Sequence, residues 1–410
     1  MMVPWQAGDW MGAMYARVPP RVIASTDRVL QCGSALARGR MPAVCYEGAL
    51  AETGERGRVA VVDAQPSVTH FVQRLFAEPV EPTPAGVVTW LRLSEGLDRL
   101  ADESDLVLAR LHGGLGRRRL GDAYLRVPEA VACRAALPAE GALPVRAKRG
   151  QARNLRVLRR SGLGWDVSHD ACDFVRFYER MYVPFAEHRF GEMAYVRGMQ
   201  RLRSHFLRGG LIRVMDDGQW VGGVVYGVDS GCLRVWVVGL AEGDTALLER
   251  GVMTANWAFA FERAQQLGLT SCHMGLSRPT LNDGVLVYKK RWGAALGDRQ
   301  PTHCDLFARW DRFNATVRRW LQVSPMLFHD DGRLSGLTGV DEPTECEGLE
   351  RLAVELAMPG MRRLCVVSPG VERAQRCEMR DERVRELAVQ VVPAGSSAEL
   401  VTLLGTAGGE

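Results

Sequence analysis

No apolar run in this sequence reaches the roughly 18 residues that a membrane-crossing helix needs. Residues 1–16 show no basic stretch followed by an apolar one, so no secretory leader is expected and the chain reads as cytoplasmic. Ten cysteines are present, at positions 32, 45, 133, 172, 232, 272, 304, 346, 365 and 377. No two of them form a CxxC pair, which argues against a zinc ribbon and a disulfide framework; free thiols in a reducing compartment are expected instead. There is no GxSxG elbow, no HExxH and no P-loop, which removes the serine-hydrolase, zinc-protease and NTPase readings. The Gly- and Arg-rich stretch 113–119 lacks the P-loop lysine and is read as a hairpin turn. Short-period repeats and low-complexity blocks are also missing.

What is present is a globular composition, with 410 residues, 47% of them hydrophobic and 24% charged. That length exceeds one ordinary core and implies two or three domains. A net charge of +4 is mildly basic, compatible with a phosphate-bearing ligand and well short of a dedicated nucleic-acid binder.

Along the chain, Val- and Leu-rich runs at 59–64, 86–93 and 106–111 predict strands, and 27–37 and 66–77 predict helices. Three prolines make 77–85 a loop. From 146 to 160 the cations Arg146, Lys148, Arg149, Arg153, Arg156, Arg159 and Arg160 run without an acid. Leu155 and Leu158 at helical spacing predict an amphipathic helix there, its basic face either solvated or turned to phosphates. A helix at 170–182 carries Phe174, Phe177, Tyr178 and Met181 on one stripe. Strands at 211–215, 221–228 and 233–240, joined by short turns, predict an antiparallel meander. A helix at 245–267, a strand at 271–276, a helix at 283–292 and a strand at 303–309 then complete one continuous unit from 211 to 309. A helix at 310–322 closes it, 329–345 reads as a linker, and the tail carries strands at 364–367 and 389–392, a helix near 378–387 and a terminal helix.

Three stretches carry a family resemblance. The first is Gln151 to Leu163, a basic helix ending in glycine; the second is 258–275, a helix end, Gly268 and a strand. The third is Gly275-Leu-Ser-Arg-Pro279 followed by Gly284-Val-Leu-Val-Tyr-Lys-Lys-Arg-Trp-Gly293. Together with the element order they resemble the FemAB-like branch of the GNAT acyltransferases, over about 150 residues from Arg146 to Arg309. The resemblance implies an α+β fold, a GNAT-like mixed sheet flanked by helices, with two GNAT-like halves and a small C-terminal α/β appendage. The corresponding domains are 1–144, 145–325 and 345–410.

It also implies an N-acyltransferase that forms an amide from an activated donor, with no tightly bound cofactor and no metal. The donor is a co-substrate, an aminoacyl-tRNA, an acyl-CoA or an acyl carrier protein; the acceptor is a small-molecule or peptide amine. Coenzyme A enzymes of this fold carry a glycine-rich turn where this chain has Leu247-Leu-Glu-Arg-Gly-Val-Met253. That departure, with the basic 146–160 segment, tilts the donor toward aminoacyl-tRNA. By the family pattern Lys289 takes the inward, catalytic role at the oxyanion, while Lys290 is turned outward with a donor contact in reserve. Asp283 is either the cap of its helix or a base. Donor contacts fall on Val238, Leu240, Arg250, Gly251, Ser277 and Arg278, and acceptor contacts on His188, Arg189 and Glu192, in a stretch read as a loop. His273 reads as a core histidine. The rival reading is a non-catalytic binding or scaffold protein, from which the enzyme reading is separated by where Lys289 points.

Overall fold

The computed structural model describes residues 39–138, 142–144, 150–191, 196–297 and 304–406. The helix expected at 27–37, the cations Arg146, Lys148 and Arg149, and Glu192 lie outside the described residues.

Strands β1 (Arg40–Ala49) and β2 (Arg56–Val62) pair antiparallel, and Pro66 opens the first turn of α1 (Pro66–Gln73), where a missing N–H costs nothing. β3 (Thr83–Thr89), α2 (Leu93–Asp102) and β4 (Leu106–His112) follow. The stretch expected as a hairpin turn is instead helix α3 (Gly113–Leu120). The His112 ring accepts the Leu115 N–H at 3.4 Å as its cap. Gly116 lets the Phe307 ring close in, since a Cβ there would stand 2.5 Å from Phe307 Cζ. β5 (Leu125–Pro128) and β6 (Val131–Ala136) end this stretch.

The basic helix forms as expected, as α4 (Gly150–Arg160), with Arg153, Arg156, Arg159 and Arg160 exposed and Leu155 and Leu158 partly buried. After β7 (Gly164–Ser168), α5 (Ala171–Phe177) is capped by the Asp170 carboxylate, which accepts the Cys172 N–H. The helix continues through a π-turn, Tyr178–Tyr182, into α6 (Val183–Phe190). Residues 184–190, expected as a loop, are therefore helical; Pro184 stands in the first turn of α6, where it is tolerated. α7 (Met199–Phe206) leads to the expected meander of β8 (Gly209–Asp216), β9 (Gln219–Asp229) and β10 (Cys232–Leu240). Its two turns, Asp217–Gly218 and Ser230–Gly231, hold both residues at positive φ, the two-residue hairpin geometry that matches strand twist. The single helix expected at 245–267 is broken into α8 (Ala246–Glu249) and α9 (Val252–Gln266), because Gly251 adopts φ +85° between them. β11 (Ser271–Ser277) and α10 (Gly284–Arg291) match their expectations.

The remainder is β12 (Ala295–Leu296), β13 (Cys304–Arg309), α11 (Ala315–Val323), β14 (Met326–Asp330), β15 (Arg333–Gly339), α12 (Cys346–Leu356), β16 (Arg363–Ser368), β17 (Gln375–Cys377), β18 (Ala388–Pro393) and α13 (Ser397–Thr406). The expected linker at 329–345 contains a hairpin: Asp331 and Gly332 take φ 47° and 76° and fold β15 back on β14. The expected helix near 378–387 is a run of turns. There the Asp381 carboxylate accepts the Arg383 N–H, and Glu350 accepts from the backbone of Arg380 and Asp381. Local hydrogen bonds of this kind compete with a helix.

The fold is α+β, with three mixed sheets flanked by helices. The seven-stranded sheet runs β12-β6-β11-β10-β9-β8-β7, the six-stranded sheet β3-β1-β2-β4-β13-β5, and the five-stranded sheet β14-β15-β16-β18-β17. Strand β13 thus leaves the meander unit in which it was expected. It pairs antiparallel with β4 and β5 instead, since its Leu306, Phe307 and Ala308 complete the cores on the two faces of that sheet. The tail is likewise no separate appendage, for β16 pairs parallel with β15 and carries Cys365 and Val367 into the same core as Trp310 and Trp320. An antiparallel pair, a helix and a parallel strand recur in two sheets: β1 and β2, α1, β4; then β9 and β10, α9, β11.

The chain divides into two compact units. One holds residues 132–276 and 288–295, the other residues 28–131, 277–287 and 296–410. The first packs Phe174, Phe177, Leu202 and Phe206 of the helices onto Leu211, Val225 and Val237 of the meander. In the second, Asp330 is buried and takes Nε and Nη2 of Arg363, each at 2.8 Å, together with the Ser335 hydroxyl at 2.6 Å. Removing the carboxylate strands a buried guanidinium. Asp330→Ala is therefore expected to lower unfolding stability by about 3–5 kcal/mol, measured as the urea transition followed by tryptophan fluorescence.

Candidate active site

In the first unit both β8 and β10 shift register against β9, β8 between Val214 and Met215. Along β9 the partners of β10 run in register up to Val235 and shift between Val235 and Val237, leaving Trp236 as a bulge. On its other side β10 pairs with β11 over only three positions, Cys232 with Ser271, Leu233 with Cys272 and Arg234 with His273. Beyond them the two strands part. A bulge bends its strand and increases the local twist, which accounts for the split. Gly239, further along β10, lets the π-turn lie against the strand: a Cβ there would meet backbone of Met181 and Tyr182 at 2.9 Å.

Lys289 lies near the point where this pairing stops. It lies in the last turn of α10, is 4% exposed, and its Nζ donates to the Leu276 carbonyl at 2.6 Å. A Cβ built on Gly275 would stand 4.0 Å from that Nζ and 3.7 Å from the Val235 oxygen, so the ammonium sits beside both parting strands. The aromatic residues of the signature aim it. Trp292 is fully buried against Phe261 at 5.3 Å, and Tyr288 packs edge-on to Trp292 at 6.4 Å. With Tyr288 and Trp292 one turn apart, Lys289 is fixed about 100° away from Tyr288 around the helix. Gly293 takes φ 73° and ends the helix, a geometry that favours glycine, and its N–H returns to the Lys290 carbonyl. Lys290 is half-buried and Arg291 exposed, so only one of three consecutive cations is enclosed.

Asp283 is a helix cap: its Oδ1 accepts the N–H groups of Val285 and Leu286 at 2.9 and 3.0 Å. Leu240 is wholly buried and Val238 partly buried; they pair with Gly222 and Val224, so a ligand could use their backbone rather than the Leu240 side chain. Arg250 is exposed and ion-paired with Asp216. Gly251 is covered by α4, since a Cβ there would stand 3.2 Å from Val157 Cγ1. His188 is exposed but anchored, its Nδ1 donating to the Gly243 carbonyl at 3.1 Å just past the end of β10; Arg189 is exposed beside it. Ser277 and Arg278 belong to the second unit, where Ser277 is buried and Arg278 is half-buried and helps keep the buried His70 uncharged. Among the described residues no three His, Cys, Asp or Glu side chains are grouped as a metal site, and no helix is long and apolar enough to cross a membrane.

The sequence reading passed over Arg234, Trp236 and His205. Trp236 stacks on the His205 ring at 3.4 Å, with the Arg234 and Arg197 guanidiniums 5.2 and 5.7 Å from its centre. An arginine inside an apolar strand was the available signal. His273, read as a core histidine, is only partly buried; its Nδ1 accepts the Gly275 N–H at 3.0 Å.

Burial, then the charges of Arg234 and Lys289, push the His273 pKa down to about 3. Burial, then Arg197 and neighbouring arginines, push His205 to about 3, and burial, then Arg278, push His70 to about 4. All three values are depressed below the ordinary 6.5, so the unfolded chain takes up protons first as pH falls. Their contribution to stability is present above about pH 6.5 and is lost progressively down to the folded values. Urea midpoints measured from about pH 7 to pH 4 should fall steadily, with the His273 ring still neutral by nitrogen NMR at about pH 5.

No family model matches the chain, and no curated protein matches it. Among solved structures it is similar to FemX, at 10% identity and a TM-score of 0.35, over 75% of this chain and 96% of that one. It is similar to L-PGS from Bacillus licheniformis, at 10% identity and a TM-score of 0.33, over 65% and 83% of the two chains. A GCN5-related N-acetyltransferase from Sphaerobacter thermophilus is similar at 12% identity and a TM-score of 0.32, over 64% and 79%. Identity this low carries no information about chemistry.

Proposed function

We propose that the protein is an N-acyltransferase that forms an amide bond, with the activated acyl group seated in the split between β10 and β11. The observation that carries this reading is the enclosed Lys289 ammonium near the point where the β10–β11 pairing stops. Burying a cation is costly unless it is held by strong hydrogen bonds, and this one is oriented by the Leu276 carbonyl. A charge kept at a gap in a sheet suits a reaction in which negative charge develops there.

In the proposed step the acceptor amine attacks the acyl carbonyl carbon and a C–N bond forms. The carbonyl oxygen takes the negative charge beside Lys289. The C–O or C–S bond to the donor then breaks, and the proton lost by the amine ends on the departing hydroxyl or thiol. Because the ester or thioester is already activated, holding the amine in line and stabilising the oxyanion supply most of the acceleration. Asp283 is assigned helix capping and no proton transfer. His188 and Arg189, exposed next to the loop that follows β10, are assigned to the rim of the site, and no resident cofactor is invoked.

The donor we favour is an aminoacyl-tRNA. Support comes from α4, which stands against Gly251, where a coenzyme A diphosphate would otherwise meet the start of α9. The same helix presents four exposed arginines, and phosphate attraction needs cations in no particular order. Lys289→Met is expected to lower transfer by roughly 100-fold or more while circular dichroism and the unfolding midpoint stay near wild type. Undiminished transfer in that variant would overturn the site. A screen of labelled aminoacyl-tRNA against acyl-CoA, with a generic amine, decides the donor.

A further inference from the structure

Three neighbouring strands, β6, β11 and β10, bring Arg134, His273 and Arg234 to one face of the seven-stranded sheet. Arg234 is the register partner of His273. Arg134 Nε donates to the Ser271 hydroxyl at 2.9 Å, and Ser271 lies two residues from His273, on the same face of β11. Among the described residues Arg234 has no carboxylate partner; its guanidinium rests on the Trp236 ring. Arg134 donates to a neutral hydroxyl, and among the described residues no carboxylate pairs with it. His273 adds a donor, because an Nδ1 that accepts the Gly275 N–H leaves the proton on Nε2. Burial first, and then the charges of Arg234 and Lys289, keep this ring neutral, so it does not pair as a cation with an acid of the protein. The cluster is thus two cations and a fixed N–H donor, with no acid paired to the arginines among the described residues.

Resting on the acyltransferase reading, we propose that this face binds an anionic group, carboxylate or phosphate monoester, carried by the amine that accepts the acyl chain. Its position on β10 assigns it to the acceptor. Arg234 precedes the bulge, while the start of α9 with its basic neighbour α4 follows the far end of the strand, about 20 Å away at ~3.3 Å per residue. Lys289 lies between, its Nζ 4.0 Å from the Cβ position of Gly275, which is itself 3.7 Å from the Val235 oxygen. Anions on opposite sides of the reacting carbonyl belong to different substrates.

The test reads binding without a donor. The His273 ring signals are followed by NMR while the intact chain is titrated with inorganic phosphate or with acetate. Saturable shifts are expected with at least one of them, the tighter anion naming the group. Arg234→Gln should weaken that binding at least tenfold, and Arg134→Gln, at an exposed position, should weaken it severalfold with no change in fold. Arg373→Gln in the second unit should leave it unchanged. Absence of any shift, or wild-type affinity in both Arg234→Gln and Arg134→Gln, would overturn the proposal. In turnover, an alanyl-alanine acceptor is compared with its C-terminal amide. A preference for the free acid that disappears in Arg234→Gln supports the site. Equal rates for acid and amide, unchanged by Arg234→Gln, overturn it while leaving acyl transfer standing. Anion binding with no transfer from any donor overturns the acyltransferase reading instead.

Discussion

The bulge at Trp236 is the constraint on which the first unit is organised. A regular β10 would pair with β11 along its length and close the sheet. With one residue out of register, the ladder to β11 stops after Arg234, and the strands part. Everything placed near that opening depends on it. Gly275 at φ 73° turns β11 so that its Leu276 carbonyl can hold Lys289. Gly239 brings the π-turn down on the far half of β10. π-turns of this kind are rare and gather at functional sites, because they widen one helix turn without ending the helix.

Several cations gather near the end of the β10–β11 pairing. Burial keeps His273 and His205 uncharged in the first place; Arg234, Lys289 and Arg134 add to it at His273, and four arginines add to it at His205. Such a field cannot come from net charge, which is only +4 over the chain. It comes from placement, since strand pairing stacks arginines that are distant in sequence. The second unit shows the opposite arrangement. There buried charges are closed into pairs, Arg363 with Asp330 and Arg126 with Asp305, and they fix structure rather than await a ligand.

Much of the meander was legible because its signals are local. Asp217–Gly218 and Ser230–Gly231 mark their turns, and Val-rich runs mark the strands between them. The family resemblance carried by Tyr288 and Trp292 pointed to Lys289 as the inward cation of its trio. Other local signals were misread. Asp331–Gly332 is as good a hairpin turn as the two in the meander, but the surrounding Gly, Asp and Pro made it look like a linker. Gly251 broke a helix that periodicity ran through, since a left-handed glycine leaves no trace in the spacing of apolar residues. Residues 184–190 looked like a loop because Pro184 and several polar residues mask a helix already begun at Ala171.

The sequence by itself determined where most strands and helices lie, which signature residues cluster near the end of α10, and that the first unit contains an antiparallel meander. These follow from turn chemistry and from periods of two and 3.6 residues, which act over a few positions. Only the tertiary structure decided that β13 pairs with β4 and β5, that the tail joins the sheet begun by β14 and β15, and that Arg134, Arg234 and His273 share a face. The physical reason is that strand pairing and the burial of a charge depend on partners on other elements, beyond the few positions over which turn chemistry and periodicity act, which no local pattern encodes.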